Sequence, residues 1–509
     1  MFHVKRAVGV LLGVDVGTSG LKALLLAPDG RVVASVTEPY PLDIPRPGWA
    51  QQDPELWWKA CVSAIRTLVA KSPAKVVGLG LTGQMHGSVF LDRSDRVLTP
   101  ALLWCDQRTS AECDEITERV GGPKALLALT FNPALTGFTA PKILWVRRHL
   151  PEVFRKTERV LLPKDFVRLR LTGRHATDVA DASGTLLFDV RRRTWSEPML
   201  KALGLPRRWF PDAFEGCEVT GAVTAAVARL TGLPEGTPVV AGGGDQAAGA
   251  IGCGVIEPGV VSASLGTSGV VFAACECPKQ VPDGRLHLFC SSVKGGWHCM
   301  GVMLAAGGAL RWYRDTLGVS VIPAGSRADP YDIICREASK VPAGSDGVVF
   351  LPYLTGERTP HADPWARGVL YGLSLKAGPA HLARAVLEGV AYGMRDSVEL
   401  VRGLGVHVAR IRLSGGGARN PFWCRMQAAV YGATTVRLVR EEGPAMGAAM
   451  LAGIGTSVFR SYRDAVRTCV SERDRFASDP ALRRTYDAGY RVFRDLYPAL
   501  RPIFRSAAE

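Results

Sequence analysis

The stretch LLGVDVGTSGLK, Leu11 to Lys22, holds a Gly-Thr-Ser-Gly turn at Gly17 to Gly20, and the same tetrapeptide returns at Gly266 to Gly269. Each copy follows an apolar run, LLGVDV in the first and VVSASL in the second, so each reads as a hairpin turn leaving a buried strand. Two glycines let the backbone turn sharply and bring its N–H groups close to a ligand, while Thr and Ser add hydroxyl donors; that chemistry suits phosphate. Two such loops about 250 residues apart predict a duplicated domain with a nucleotide held between the halves. The copies differ at one place: Asp15 stands ahead of the first turn where Ser264 stands ahead of the second, and a carboxylate there could face a metal.

Working outward, 509 residues are too many for one compact core, and two domains of roughly 200 to 250 residues are the natural division. The expected boundaries are residues 1–254, 255–470 and a helical tail over 471–509, with Pro258 and Gly259 marking the first junction. Hydrophobic residues at 47% and charged ones at 21% match an ordinary globular protein. Lys5 and Arg6 before an apolar run imitate a signal peptide, but Asp15 interrupts the run and no small-residue cleavage site follows, so the segment reads as a first core strand. No stretch reaches the ~18 apolar residues of a membrane span. Twelve cysteines lack Cys-x-x-Cys spacing, and Cys275 and Cys277 lie too close for a metal knuckle, which predicts reduced thiols in a cytoplasmic protein. The net charge of +15 comes from scattered arginines, such as Arg191 to Arg193 and Arg483, Arg484, Arg491, Arg494, Arg501 and Arg505, without a nucleic-acid motif. A solvated basic surface is expected, with no nucleic-acid and no membrane partner.

After the first turn, LKALLLA and VVASVTEPY continue as strands joined at Pro28-Asp29-Gly30. A helix follows, capped by Asp53, with Pro54 in its first turn and Trp57, Cys61, Ala64, Ile65 and Leu68 on one stripe. VVGLGLTG, Val76 to Gly83, reads as a strand that delivers Gln84-Met85-His86-Gly87, and strand ends in a layered α/β domain line the ligand crevice. TPVVAGGGDQAAG delivers Asp245 in the same way, after three glycines expected to leave room for a substrate. HLARAVLEGVAYGM has helical period, ARIRLSGGGARNPFWCRM reads as strand, glycine turn and helix, and Asp479 to Arg505 reads as a closing amphipathic helix.

Several of these residues can carry chemistry. Asp15 beside a phosphate-type turn is either a turn cap or a ligand of magnesium, which binds carboxylate and phosphates together. Asp245 is either structural or a general base; Gly242, Gly244 and Ala247 also match a loose dinucleotide fingerprint, without the strand–helix–strand unit that pattern needs. His86 could hydrogen-bond a polyhydroxyl ligand, with Asp106 and Arg108 in LLWCDQR adding acceptor and donor. Gly415, Gly416 and Gly417 ahead of a helix fit a nucleotide site. No Gly-Lys dipeptide occurs, so the common P-loop is absent.

Together the chain resembles the FGGY carbohydrate kinases, from about Leu11 to about Gly453. The resemblance rests on DVGTSGLK, GQMHG, LLWCDQR, GFTAPKILWV, LLPKDFVRLRLTG, VAGGGDQAAGA, SLGTSGV, LPYLTGERTPH, LEGVAYG and SGGGARN. It implies an α/β, two-domain actin-like (ribonuclease H-like) ATPase fold with a central cleft, shared with hexokinase and heat-shock chaperones. It implies ATP-dependent phosphorylation of D-xylulose at its 5-hydroxyl, with ATP and Mg2+ bound in the cleft. By motif correspondence Asp245 is the proton acceptor, Asp15 helps place magnesium and phosphate, and both are candidate metal ligands. Gln84, Met85, His86, Trp104, Asp106 and Arg108 would serve the sugar. Gly17, Thr18, Ser19, Gly266, Thr267, Gly307, Gly415, Gly416 and Asn420 would lie along the nucleotide.

One departure stands out: relatives often carry Asn where this chain has Cys105. A sugar contact there could change the preferred pentulose, which leaves ribulose, L-xylulose, erythritol or another ketopentose or polyol open as alternatives. Two further readings are a sugar or nucleotide sensor without turnover, against which both aspartates speak, and a dinucleotide-dependent oxidoreductase, which rests on the glycines near Asp245 alone. The sequence leaves open whether the chain acts alone or as a homodimer.

Overall fold

The computed structural model describes residues 9–279, 283–322 and 325–506, so the Lys5 and Arg6 reading lies outside the described residues. The first glycine-rich turn joins strand β1 (Val10–Val16) to β2 (Gly20–Leu26) as an antiparallel hairpin in which Val16 faces Leu21. Strand β3 (Val32–Pro39) extends the hairpin, and β4 (Val76–Gly83) lies parallel to β1 on its other side. With β5 (Val219–Ala222) and β6 (Pro238–Gly244) they form a six-stranded sheet in the order β5-β6-β4-β1-β2-β3.

The second turn does the same work for β7 (Gly259–Leu265) and β8 (Gly269–Cys275). Strands β9 (His287–Cys290), β10 (Trp297–Met303), β11 (Val408–Gly415), β12 (Thr434–Leu438) and β13 (Glu472–Phe476) complete a seven-stranded sheet, β9-β10-β8-β7-β11-β12-β13. In both sheets a hairpin is followed by two parallel strands and an antiparallel edge, so the tetrapeptide repeat does report a duplicated α/β unit.

Local sequence explains the flanking helices. In α1 (Pro54–Lys71) the Asp53 carboxylate accepts from the Glu55 N–H, Pro54 starts the helix, and Trp57, Cys61, Ala64, Ile65 and Leu68 are all buried against the first sheet. Helix α2 (Asp245–Gly252) follows β6, α3 (Gly307–Asp315) follows the second sheet's β10, and α4 (Pro379–Gly403) is the long helix expected around LEGVAYG. Asn420 caps α5 (Pro421–Tyr431) by accepting from the Phe422 N–H. Helix α7 (Pro480–Ser506) closes the described chain and carries Pro498 and Pro502 inside it.

One helix crosses between the halves. Helix α6 (Pro444–Gly455) comes late in the chain yet packs under the first sheet, where Ala445, Ala449 and Met450 share a buried cluster with Leu11, Leu24 and Val240. Glycines make that approach possible: a Cβ on Gly13 of β1 would meet the Ala445 carbonyl, and one on Gly80 of β4 the Ala448 carbonyl. The glycines that interrupt the apolar runs of β1 and β4 are therefore the seat of α6. Among the described residues no helix is long and apolar enough to cross a membrane.

Candidate active site

The C-terminal ends of three neighbouring parallel strands converge. Register pairs Val16 with Gly83 and Gly244 with Gly83, so β1 delivers Asp15 and the first turn, β4 delivers Gln84 to His86, and β6 delivers Asp245 at the start of α2. This is where a parallel sheet offers a crevice.

A cavity of about 170 Å³ opens there, lined by Met85, His86, Trp104, Phe138, Asp245 and Gln246 from the first half and by Ser268, Met300 and Arg358 from the second, among others. Burial lifts the Asp245 carboxyl to about 6, opposed by hydrogen bonds from the Gln246 backbone and side chain. Burial, reinforced by the Asp245 charge and opposed by Lys22, lifts Asp15 to about 7. Asp15 Oδ1 is buried without a hydrogen-bond partner. Asp15 thus feels the charge of Asp245, which Lys22 offsets only in part.

His86 is held from three sides. Its backbone sits at φ 69°, outside the range most side chains accept. Its carbonyl accepts from Lys142 Nζ at 3.0 Å and Thr139 Oγ1 at 3.1 Å. Its Nδ1 lies 2.7 Å from the Gly184 carbonyl. A carbonyl can only accept, so Nδ1 carries the proton and Nε2 is left as an acceptor. Burial, followed by the Lys142 charge, holds the ring neutral, well below its ordinary range. Lys142 itself, buried and donating also to the Gly137 carbonyl at 2.6 Å, is pushed down to about 7.

A second cavity of about 350 Å³ is lined by Gly266, Thr267, Gly307, Arg311, Tyr331, Gly416, Arg419 and Asn420, with others. The second turn and α3 are stitched together here: the Gly307 N–H donates to the Gly266 carbonyl at 2.8 Å and the Ala306 N–H to the Thr267 carbonyl at 3.0 Å. Arg311 and Arg419 supply positive charge, and Asn420 Nδ2 donates to Asp332 Oδ1 at 2.8 Å. The two cavities meet along one turn, since Ser268 lines the first while Thr267 lines the second.

The structure distributes the expected residues unevenly. Met85, His86, Trp104 and Asp245 reach the first cavity; Gly266, Thr267, Gly307, Gly416 and Asn420 reach the second. Gln84, Asp106 and Arg108 do not line the first. Asp106 Oδ2 accepts from the Ala50 N–H at 2.7 Å and pairs with Arg108 Nη2 at 2.7 Å, and the Arg108 guanidinium lies 3.7 Å from the centre of the Trp49 ring. Gln84 is buried against Gln52 and the first turn. Gly17, Thr18, Ser19 and Gly415 do not line the second cavity; the Thr18 hydroxyl donates to Gln84 Oε1 at 3.1 Å and accepts from Trp104 Nε1 at 2.9 Å, which ties the first turn to the wall of the first cavity. Cys105 lines neither cavity.

The glycines before Asp245 correct the sequence reading. They leave no room for a substrate, because Cβ atoms on Gly242, Gly243 and Gly244 would meet the Leu81 carbonyl, Ser292 Oγ and Met85 Cγ respectively. Gly242 also has φ +75°. Close packing against β4 requires them. Lys142, Gln246, Phe138 and Arg358 were missed as site residues, although Phe138 and Lys142 lie in GFTAPKILWV and Arg358 in LPYLTGERTPH.

Residues 10–252 match the N-terminal domain of the FGGY family of carbohydrate kinases, and residues 261–456 match the C-terminal domain. The xylulose kinase of Escherichia coli (strain K12) is 42% identical over 97% of this chain and 99% of that protein. The xylulose kinase of Klebsiella pneumoniae is 45% identical over 87% of this chain and 89% of its own length. The crystal structure of xylulose kinase from Rhodospirillum rubrum superposes with a TM-score of 0.91 at 33% identity, covering 97% of this chain and all of that one, 100%.

Proposed function

This chain belongs to the FGGY family of carbohydrate kinases, a two-domain α/β fold of the actin-like ATPase type, and from that premise we propose that it transfers the γ-phosphoryl group of ATP to the 5-hydroxyl of D-xylulose. The observation that carries the reading is the shared turn: Asp245 and Ser268 border one cavity, while Gly266 and Thr267, next to Ser268, border the other. A sugar in the first and a nucleotide in the second would meet there.

In this reading Asp245 accepts the 5-hydroxyl proton. A carboxyl near 6 is mostly ionised at neutral pH yet basic enough to take a proton in transit. His86 Nε2 accepts from a substrate hydroxyl. N–H groups of the second turn and the Arg311 guanidinium receive phosphate oxygens. Magnesium, when bound, would neutralise the charge that builds on the phosphates. The unpartnered Asp15 Oδ1, with Asp245 beside it, fits a hydrated ion of that kind. Among the described residues no group of three or more His, Cys, Asp or Glu gathers as a metal cage, and an ion that keeps its waters and phosphates needs none. The halves would meet near residue 254 and close over both cavities, which excludes water as a competing acceptor. Twelve unpaired cysteines fit a cytoplasmic setting.

The test is magnesium-dependent ADP release with D-xylulose, L-xylulose, D-ribulose, L-ribulose, glycerol and erythritol. Preference for D-xylulose is the expected result. Strong turnover of another sugar would move the specificity while keeping the mechanism, and no turnover with any would favour the sensor.

A further inference from the structure

Arg358 is the cationic side chain among those lining the first cavity, and it comes from the second half of the chain. Its backbone N–H donates to Glu357 Oε1 at 2.7 Å, but among the described residues its guanidinium makes no hydrogen bond and no ion pair. Glu357 does not neutralise it: burial lifts that carboxyl to about 8 and its Oε1 is occupied by the Leu304 and Arg358 N–H groups. The side chain is partly exposed, and a five-donor fork that lines a cavity without a protein partner is free to donate to a ligand there. The charge also has a position. It adds to burial in holding both His86 and His287 below their ordinary range, as the first charge after burial for His287 and behind Lys142 for His86. Arg358 from the second half and Asp245 from the first thus line one cavity, a cation and a carboxyl around the same space.

Chemistry says what would lie there. A 2-ketopentose closes its five-membered ring through O5, so the form whose 5-hydroxyl is free for phosphorylation is the open chain, and the open chain presents a C2 carbonyl. We propose that Arg358 recognises that carbonyl: its guanidinium donates to the C2 ketone oxygen while Asp245 receives O5, holding the substrate extended between the two halves of the protein. This rests on the ketopentose reading above. Arg358 is then a specificity residue, and closure of the halves brings it to the sugar.

The experiment compares wild type with Arg358→Met and Arg358→Lys. Three quantities are read: kcat and KM for D-xylulose, competition by xylitol (the same chain with C2 reduced), and thermal melting without ligand and with ATP. Arg358→Met is expected to lower kcat/KM for D-xylulose by about 10- to 100-fold, the worth of one charge-assisted hydrogen bond, chiefly through KM. Xylitol, whose C2 hydroxyl can still accept from the guanidinium, should lose less than D-xylulose does, and the ATP-induced shift should be retained. Ligand-free Arg358→Met should melt no lower than wild type, because the guanidinium has no protein hydrogen bond or ion pair to lose and the apolar chain is of similar length. Arg358→Lys, which keeps the charge but loses the fork, should recover part of the loss. An unchanged KM, an equal loss of xylitol and D-xylulose, or a lower ligand-free melting temperature in both variants would overturn the proposal. Wild type that turns over no ketose would overturn the ketopentose reading itself, a result visible before any variant is made.

Discussion

At the residue scale the two aspartates are set for different tasks by the same burial. Asp245, near 6, predicts that kcat/KM climbs as pH rises through about 6, with the proton acceptor becoming ionised. Asp245→Asn should cut turnover by roughly 100- to 10,000-fold and erase that limb of the pH profile. Asp15, near 7 in the fold against an ordinary value of 3.8, favours the folded state while protonated. The folded protein then binds more protons than the unfolded chain between those values, so stability falls as pH rises across that window. Ligand-free Asp15→Asn should match wild type in melting temperature near pH 4 and exceed it by roughly 1 to 4 °C near pH 8, while losing activity. A variant that melts lower than wild type at pH 8 would contradict the burial argument.

At the element scale the decisive contact is α6 under the first sheet. Adding one methyl at Gly80 drives it into the Ala448 carbonyl, so Gly80→Ala should lower stability by about 1 to 3 kcal/mol in urea titration. Gly403→Ala, at the end of α4 where nothing lies within 4 Å, should be neutral. The contrast shows what the sequence could and could not convey. The two turns, the capped stripe of α1, and the strand ends carrying His86 and Asp245 were legible, because each is coded within a few residues. The role of Gly13 and Gly80 was not, since their partner lies hundreds of residues away. Asp106 and Arg108 read as acceptor and donor for a ligand; the fold instead pairs them with each other and brings in the Trp49 ring and the Ala50 N–H. Arg358 sat inside a motif already noticed, yet its lack of a partner is a property of the folded chain alone.

At the scale of the whole molecule, a salt bridge joins the halves in addition to the buried α6 contact. Lys22 of β2 pairs with Glu442 at 2.7 Å, both partly exposed, and the Lys22 ammonium reaches the Glu442 carbonyl as well. A half-exposed pair is worth about 0.2 to 1 kcal/mol. Lys22→Met should therefore change KM for ATP by no more than about fivefold, and salt should reproduce most of that change in wild type. A far larger effect would mean that the pair controls closure directly.

The late position of α6 has a consequence during synthesis. A ribosome that has finished α2 at Gly252 must add about 190 further residues before Pro444 emerges, roughly 10 to 40 seconds of translation. Until then Leu11, Leu24, Leu26, Val240 and Ile251, all buried in the finished molecule, have no cover. The nascent first half waits with an oily underside, and its fate in that interval depends on what else in the cell can shield it.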